Sequence, residues 1–140
     1  MLRYVSEFAA RFGIDDLRPP ARVANTRRAL AVAEHARDRG RLDAFRAAAF
    51  DAYWRHGKDL EDDQDLRATA AAAGLDPDAA LGAATDPALL ARVDASRRRA
   101  AEAGVTGIPT FDIGGTRIVG CQPYEALAAA VRKAGATRRA

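Results

Sequence analysis

The stretch "GVTGIPTFDIGGTRIVGCQPY", residues 104–124, decides the fold. Thr110-Phe111-Asp112-Ile113 and Thr116-Arg117-Ile118-Val119 alternate around Gly114-Gly115. Two such runs joined by two glycines predict a β-hairpin. Pro109 stands at its entrance, and Cys121, the one cysteine of the chain, follows it. A two-stranded hairpin is marginal in water by itself. This one therefore needs helical cover on one face or further strands beside it, and no other segment offers a clear strand.

Outward from the hairpin the pattern is helical. Asp86-Pro87 opens a long helix to about Ala103, and Asp76-Pro77 a short one to about Ala84. In each the carboxylate can accept from free N–H groups of the first turn, and proline takes the position where no N–H is needed. "DLEDDQDLRATAAAAGL" gives a helix over about Asp62–Ala73, so Glu61, Asp62, Asp63 and Asp65 read as a helix start. The segment over about Leu42–Arg55 carries Leu42, Phe45, Ala49, Phe50, Tyr53 and Trp54, four of the nine aromatic residues. It reads as the most amphipathic helix and the centre of the core. "ANTRRALAVAEHARDRG" starts a helix near Asn25 or Thr26, either of which can cap it. Leu2, Val5, Phe8, Ala9 and Phe12 share one face of a first helix stopped by Gly13. Beyond the hairpin, Pro123 begins a last helix over Tyr124 to about Ala134 with Leu127 and Val131 inward, and the tail "GATRRA" is expected to fray. Seven helices and two strands result.

The length, 140 residues, is that of about one domain. Hydrophobic residues make up 49%, but much of this is Ala and aromatics are only 6%, which predicts a thin core of Leu, Val and Ile among small residues. The net charge of +3 comes from Arg, since Lys occurs only at 58 and 133. Acidic residues are interleaved with the basic ones, and Arg97-Arg98-Arg99 reads as a solvated helix face, so no nucleic-acid partner is expected. One cysteine excludes an internal disulfide framework and a cysteine metal cluster. His35 and His56 show no metal-ligand spacing and read as surface or cap residues, so no metal is expected. No run is apolar enough to span a bilayer, and "MLRYVSEFAARFG" carries charges within its apolar periodicity, unlike a secretion signal. The expected location is cytoplasmic, with no membrane partner.

The run "GVTGIPTFDIGGTRIVGCQPYEALAAAV" resembles the C-terminal part of the DsbA-like branch of the thioredoxin superfamily, where a Val/Ile-Pro-Thr segment precedes an antiparallel hairpin and a closing helix. The preceding order, an "NTRRAL" helix, an aromatic helix, an acid-started helix and a long helix running into "AEAGVTGIPTF", resembles the helical insertion of the 2-hydroxychromene-2-carboxylate isomerases, kappa-class glutathione transferases and DsbA-type oxidoreductases. The resemblance covers about residues 2–134. It implies an α/β, thioredoxin-like fold of DsbA type with a helical insertion. Here that fold is truncated: mostly helical, plus a C-terminal hairpin and closing helix. The expected division is a helical subdomain over 1–104 and a C-terminal thioredoxin half over 105–140, packed as one compact unit.

The family pattern begins with a strand–helix–strand unit bearing Cys-x-x-Cys, or a Ser that serves glutathione chemistry. This sequence has no Cys-x-x-Cys, and Ser6 and Ser96 lie within helices. The expectation is a thiol–disulfide oxidoreductase-like or isomerase-like protein, catalytically incomplete in this chain, or a binding module that pairs with a separate thioredoxin half. The resemblance implies a cis Ile108–Pro109 bond that turns the N–H and C=O of Ile108 toward a thiol peptide or the cysteinyl part of glutathione, with Thr110 beginning the strand. Cys121 and Gln122 would lie at the start of the closing helix, whose free N–H groups suit the carboxylate of a γ-glutamyl group. Relatives that use glutathione carry an acidic residue near the place of Gln122, which weakens that expectation here. A helix N-terminus favours a thiolate, one reading of Cys121; the other is a small half-buried residue packed beside the hairpin. Asn25 matches an element near the substrate cleft of isomerase-like relatives, and as a plain cap it needs no such role. No cofactor is required by this reading, and glutathione is the one small thiol it admits. The Thr110 strand would present a bare edge, which proteins seldom tolerate, so a partner chain is expected to cover it, most simply in a homodimer.

Overall fold

The structure, a computed structural model, describes residues 2–137. The side chain of Leu2 and the residues 138–140 of the expected frayed tail lie outside the described residues. The chain forms two compact units, Met1–Ser96 and Arg97–Ala140.

The first unit is helical. It contains α1 (Leu2–Ala10), α2 (Arg27–Asp38), α3 (Leu42–His56), α4 (Asp63–Ala72), α5 (Pro77–Ala83) and most of α6 (Pro87–Glu102). Three acidic caps start helices as their positions predict. Asp62 accepts from the N–H groups of Gln64 and Asp65, Asp76 from Ala79, and Asp86 from Ala88 and Leu89. Helix α2 packs on α3 and α5, α3 on α4, and α4 on α5. The shared core holds Val32 and Ala36 from α2, Phe45 and Tyr53 from α3, Leu66 and Ala70 from α4, and Leu60, Leu75 and Ala80 around them. Alanines at these positions let helix backbones approach closely, so few large side chains suffice to fill the interior. Buried Thr69 satisfies its hydroxyl by donating to the Asp65 carbonyl at 2.8 Å.

Helix α3 supplies Phe45 and Tyr53 to the core, but Phe50 is 63% exposed, so its aromatic residues do not share one buried face. Phe12 is exposed as well. His35, read as a surface or cap residue, is instead 7% exposed. Its position on α2 follows Ala31 and Val32 by one turn, which carries it to the buried stripe. Its Nδ1 meets an Arg39 guanidinium nitrogen at 3.0 Å. Burial first, and Arg39 second, hold its pKa below the ordinary value.

The second unit holds the end of α6, β1 (Thr110–Ile113), β2 (Thr116–Val119) and α7 (Tyr124–Lys133). Among the described residues the two strands form a single two-stranded antiparallel sheet beside seven helices. No described residue of this unit is fully buried. Leu127 is half-buried, but Val131, expected inward, is 40% exposed, in a unit whose described residues form no fully buried core. No helix among the described residues is long and apolar enough to cross a membrane.

Candidate functional site

The hairpin register is set by its turn. Ile113 pairs with Thr116, Asp112 with Arg117, Phe111 with Ile118 and Thr110 with Val119. Gly114 and Gly115 have φ of 52° and 80°, the positive values that a two-residue turn of type I′ needs at both central positions. Alternation puts Phe111, Ile113 and Ile118 on one face, and all three are half-buried. The turn seats against the end of α7: a Cβ on Gly114 would lie 2.6 Å from the Ala134 Cβ.

At the open end, the N–H of Gly120 donates to the Pro109 carbonyl at 2.8 Å and carries the ladder one residue past the strands. The Thr110 hydroxyl donates to the Gly107 carbonyl at 2.6 Å and closes the turn around the proline. Within that turn the Ile108–Pro109 peptide is cis, as the resemblance implies. Ile108 is 91% exposed. Its N–H and C=O have no hydrogen-bond partner among the described residues. The chain thus holds out one residue with a free donor, a free acceptor and an apolar side chain, directly beyond a strand end. Backbone groups of this kind pair with an incoming extended segment.

Arg117 locks the unit together. It grips the Asp112 carboxylate through Nε at 2.8 Å and a second nitrogen at 3.0 Å. Its remaining nitrogen donates to the carbonyls of Ala103 and Gly104, at 2.8 and 3.1 Å, which are left open at the end of α6. One planar guanidinium therefore ties the middle of the hairpin to the preceding helix end, a task suited to its fixed fork of donors. The hydrogen bonds from Arg117 hold the Asp112 carboxyl below the usual carboxylate range. Reading the chain by motif missed this residue. The signal was available, because a Gly114-Gly115 turn sets Asp112 directly across from Arg117, an opposite-charge cross-strand pair.

Ile108, Pro109, Thr110, Cys121 and Gln122 all belong to the second unit. Gln122 donates its side-chain amide to the Val119 carbonyl at 3.1 Å, so that donor is spent on its own turn. Cys121 is exposed rather than half-buried. The chain leaves β2 through Gly120 (φ 83°) and runs on to Pro123, so Cys121 sits on the short connection between β2 and α7. Helix α7 has no side-chain cap at its N-terminus. Asn25 lies in the other unit, where its Oδ1 accepts from the Arg27 N–H at 3.1 Å and starts α2; Thr26 makes no such bond. The acidic residues near α4 are engaged by helix N–H groups and cations, Arg22 with Asp59 and Glu61 among them. Among the described residues no group of three His, Cys, Asp or Glu is placed to hold a metal ion.

A cis-proline turn leading into a hairpin and a closing helix, after a helical segment, is the arrangement the sequence resemblance pointed to. The sequence matches the DSBA-like thioredoxin domain over residues 1–132. The chain belongs to that family. The matched span takes in the helical unit and the hairpin alike, so both parts of this DSBA-like domain are family structure. No curated protein matches the chain.

Proposed function

We propose that this DSBA-like domain holds an extended thiol substrate for thiol–disulfide chemistry, with Ile108 as the residue the substrate strand pairs with. The observation that carries this is the free N–H and C=O of Ile108, exposed beside a cis proline. An extended cysteine-containing peptide, or the cysteinyl portion of glutathione, would add to the open end of β1 as a strand, with Thr110 and the turn at Cys121 and Gln122 flanking it. The chain has one cysteine, and dithiol exchange uses two thiols in turn, an attacking and a resolving one. The other half of the exchange is therefore supplied from outside these residues: a partner thioredoxin unit carries the dithiol or disulfide that exchanges with the sulfur of the bound substrate, one being oxidised as the other is reduced. The same reading accommodates glutathione-assisted isomerase chemistry, in which glutathione is the ligand of this turn. The open edge of β1 is where a second copy or a partner chain would pair.

The test is a titration of the isotope-labelled protein with a cysteine-containing peptide and, separately, with reduced glutathione, followed by amide chemical shifts. Shifts centred on Ile108, Thr110 and Gln122 support the reading, and the ligand that produces them separates the two chemistries. Saturating ligand with no movement of the Ile108 and Thr110 amides refutes it. In an insulin-reduction assay the purified chain is expected to show no turnover, and turnover without an added partner would overturn the assignment of the reacting thiols.

A further inference from the structure

The whole-chain charge of +3 conceals an uneven division. Residues 97–140 hold eight Arg or Lys against three Asp or Glu, whereas residues 1–96 hold fourteen against sixteen. In the helical unit the charges are largely matched to one another: Arg27 with Asp94, Arg28 with Asp63, Arg55 with Asp16 and Asp51, Arg92 with Glu34 and Asp38, and Lys58 with Asp65. In the second unit Arg117 is matched by Asp112. Arg97, Arg98, Arg132 and Lys133 are exposed and form no ion pair among the described residues. Glu102 and Glu125 are exposed too, and they offset only part of the surplus.

These cations lie on the two helices whose ends abut the hairpin. The end of α6, which carries Arg97 and Arg98, is tied to mid-hairpin through the bonds from Arg117 to Ala103 and Gly104. The end of α7, which carries Arg132 and Lys133, abuts the hairpin turn where Gly114 meets Ala134. Arg132 and Lys133 thus stand at the turn end of β1, one strand's length from Ile108 at its other end, so a segment paired along β1 from Ile108 runs toward them. Apolar side chains stand exposed on the same unit, with Ile108 at 91%, Tyr124 at 79% and Val119 also open.

We infer that the segment this turn accepts is an acidic extended peptide with an apolar core, bound as an added strand. The inference rests on the strand-addition reading of Ile108 and assigns its partner a charge. Uncompensated cations on the helices that abut the hairpin give the unit a positive field, which attracts acidic side chains flanking the paired residues and disfavours basic ones. The free carbonyl acceptor and the exposed apolar groups select peptide backbone over a phosphate chain, which has no N–H to donate to that carbonyl.

Three acetylated heptapeptides test this, sharing a central Val-Cys-Val and flanked on both sides by two Glu, two Gln or two Lys. Each is titrated into the full chain in reducing buffer, with the Ile108 and Thr110 amides as readout. The Glu peptide is expected to bind about tenfold tighter than the Gln peptide at low salt, with the Lys peptide weakest. The preference should collapse near molar salt, where the Debye length is about 3 Å. Replacing Arg97, Arg98, Arg132 and Lys133 together by Gln removes unpaired surface groups, and it should abolish the preference while leaving Gln-peptide affinity unchanged. If the Gln or Lys peptide binds as well as the Glu peptide, the inference is overturned and the strand-addition reading stands. If none of the three moves the Ile108 amide, the strand-addition reading itself fails and takes the inference with it. A duplex oligonucleotide that displaces the Glu peptide and binds more tightly at equal salt would overturn it in favour of a nucleic-acid surface.

Discussion

Gly114 and Gly115 share a backbone problem and differ in surroundings, which makes the pair a clean probe of how the hairpin is held. Their φ values are 52° and 80°, so an Ala at either position meets left-handed strain of about 1–2 kcal/mol. At Gly115 a new Cβ finds nothing within 4 Å. At Gly114 it would stand 2.6 Å from the Ala134 Cβ and 3.3 Å from its Cα, well inside the 3.5–4.0 Å optimum for carbon pairs. A methyl held by backbone on both sides cannot rotate away, so the turn must lift off the end of α7. Overpacking of this kind costs typically 1–3 kcal/mol. Gly115→Ala should therefore destabilise by about 1–2 kcal/mol and Gly114→Ala by about 2–5 kcal/mol. The difference corresponds to about 5–150-fold in an opening equilibrium. The assay is amide hydrogen exchange at Phe111, Ile118 and Gly120, with Val32 and Leu66 as internal controls in the helical unit. Ala134→Gly removes the opposing methyl, and the cycle Gly114→Ala/Ala134→Gly should recover most of the excess. Equal losses at the two glycines, or no coupling to Ala134, would refute the seating of the turn on α7.

Leu66 is fully buried, so Leu66→Ala should remove about 3 kcal/mol and lower Tm by roughly 12–24 °C in thermal unfolding of a unit this size. Asp62 accepts from two backbone N–H groups, so Asp62→Ala should destabilise by about 1 kcal/mol in urea unfolding and Asp62→Asn by much less. The pKa of His35 is depressed from 6.5 by its burial; below that pH the unfolded chain takes up a proton that the folded chain resists. Stability measured by urea unfolding should therefore already fall as pH drops through about 6.5, and His35→Leu should flatten that window. Asp16, Asp38 and Asp112 are held below the usual 3.8 by Arg55, Arg92 and Arg117, so a second loss common to both proteins should begin only near pH 4. Cys121 is exposed, so one thiol should react with Ellman's reagent in native buffer without denaturant; a thiol released only in urea would contradict its placement.

Much of the fold was legible because local chemistry specifies it. Gly13, read as a helix stop, and Gly40, Gly57, Gly74 and Gly104, which follow α2, α3, α4 and α6, all have φ between 61° and 75°. Asp62, Asp76 and Asp86 cap the helices that follow them, and Gly114-Gly115 sets the strand register residue by residue. Each of these is a contact between near neighbours in sequence. What escaped notice depends on distant partners. His35 is buried on a helix that packs on both α3 and α5, and nothing in "VAEHARD" announces either neighbour. Arg117 reaches carbonyls at the end of α6 that belong to another element. The surplus of cations in the last third of the chain was hidden by averaging over the whole, although a count taken by unit exposes it. At the candidate site, Ile108 and Pro109 were legible by resemblance alone, since only a minority of X–Pro bonds are cis and no local rule selects this one.

The second unit orders its backbone with little burial to do it. None of its described residues is fully buried, and hydrophobic burial is the dominant favourable term in folding. What holds it is instead a short ladder, the Arg117 clamp on Asp112 and α6, and the contact of Gly114 with Ala134. Such a unit sits at the low end of the local stability range, where binding sites are commonly found. A strand added at Ile108 would cover the exposed apolar groups beside it and extend the ladder, so ligand binding and hairpin stability become one equilibrium. By mass action a ligand present at about a hundredfold over its Kd should slow exchange at Phe111 and Ile118 by about a hundredfold. Substitutions that loosen the turn, Gly114→Ala first, should weaken that ligand in proportion to the population of hairpin they open.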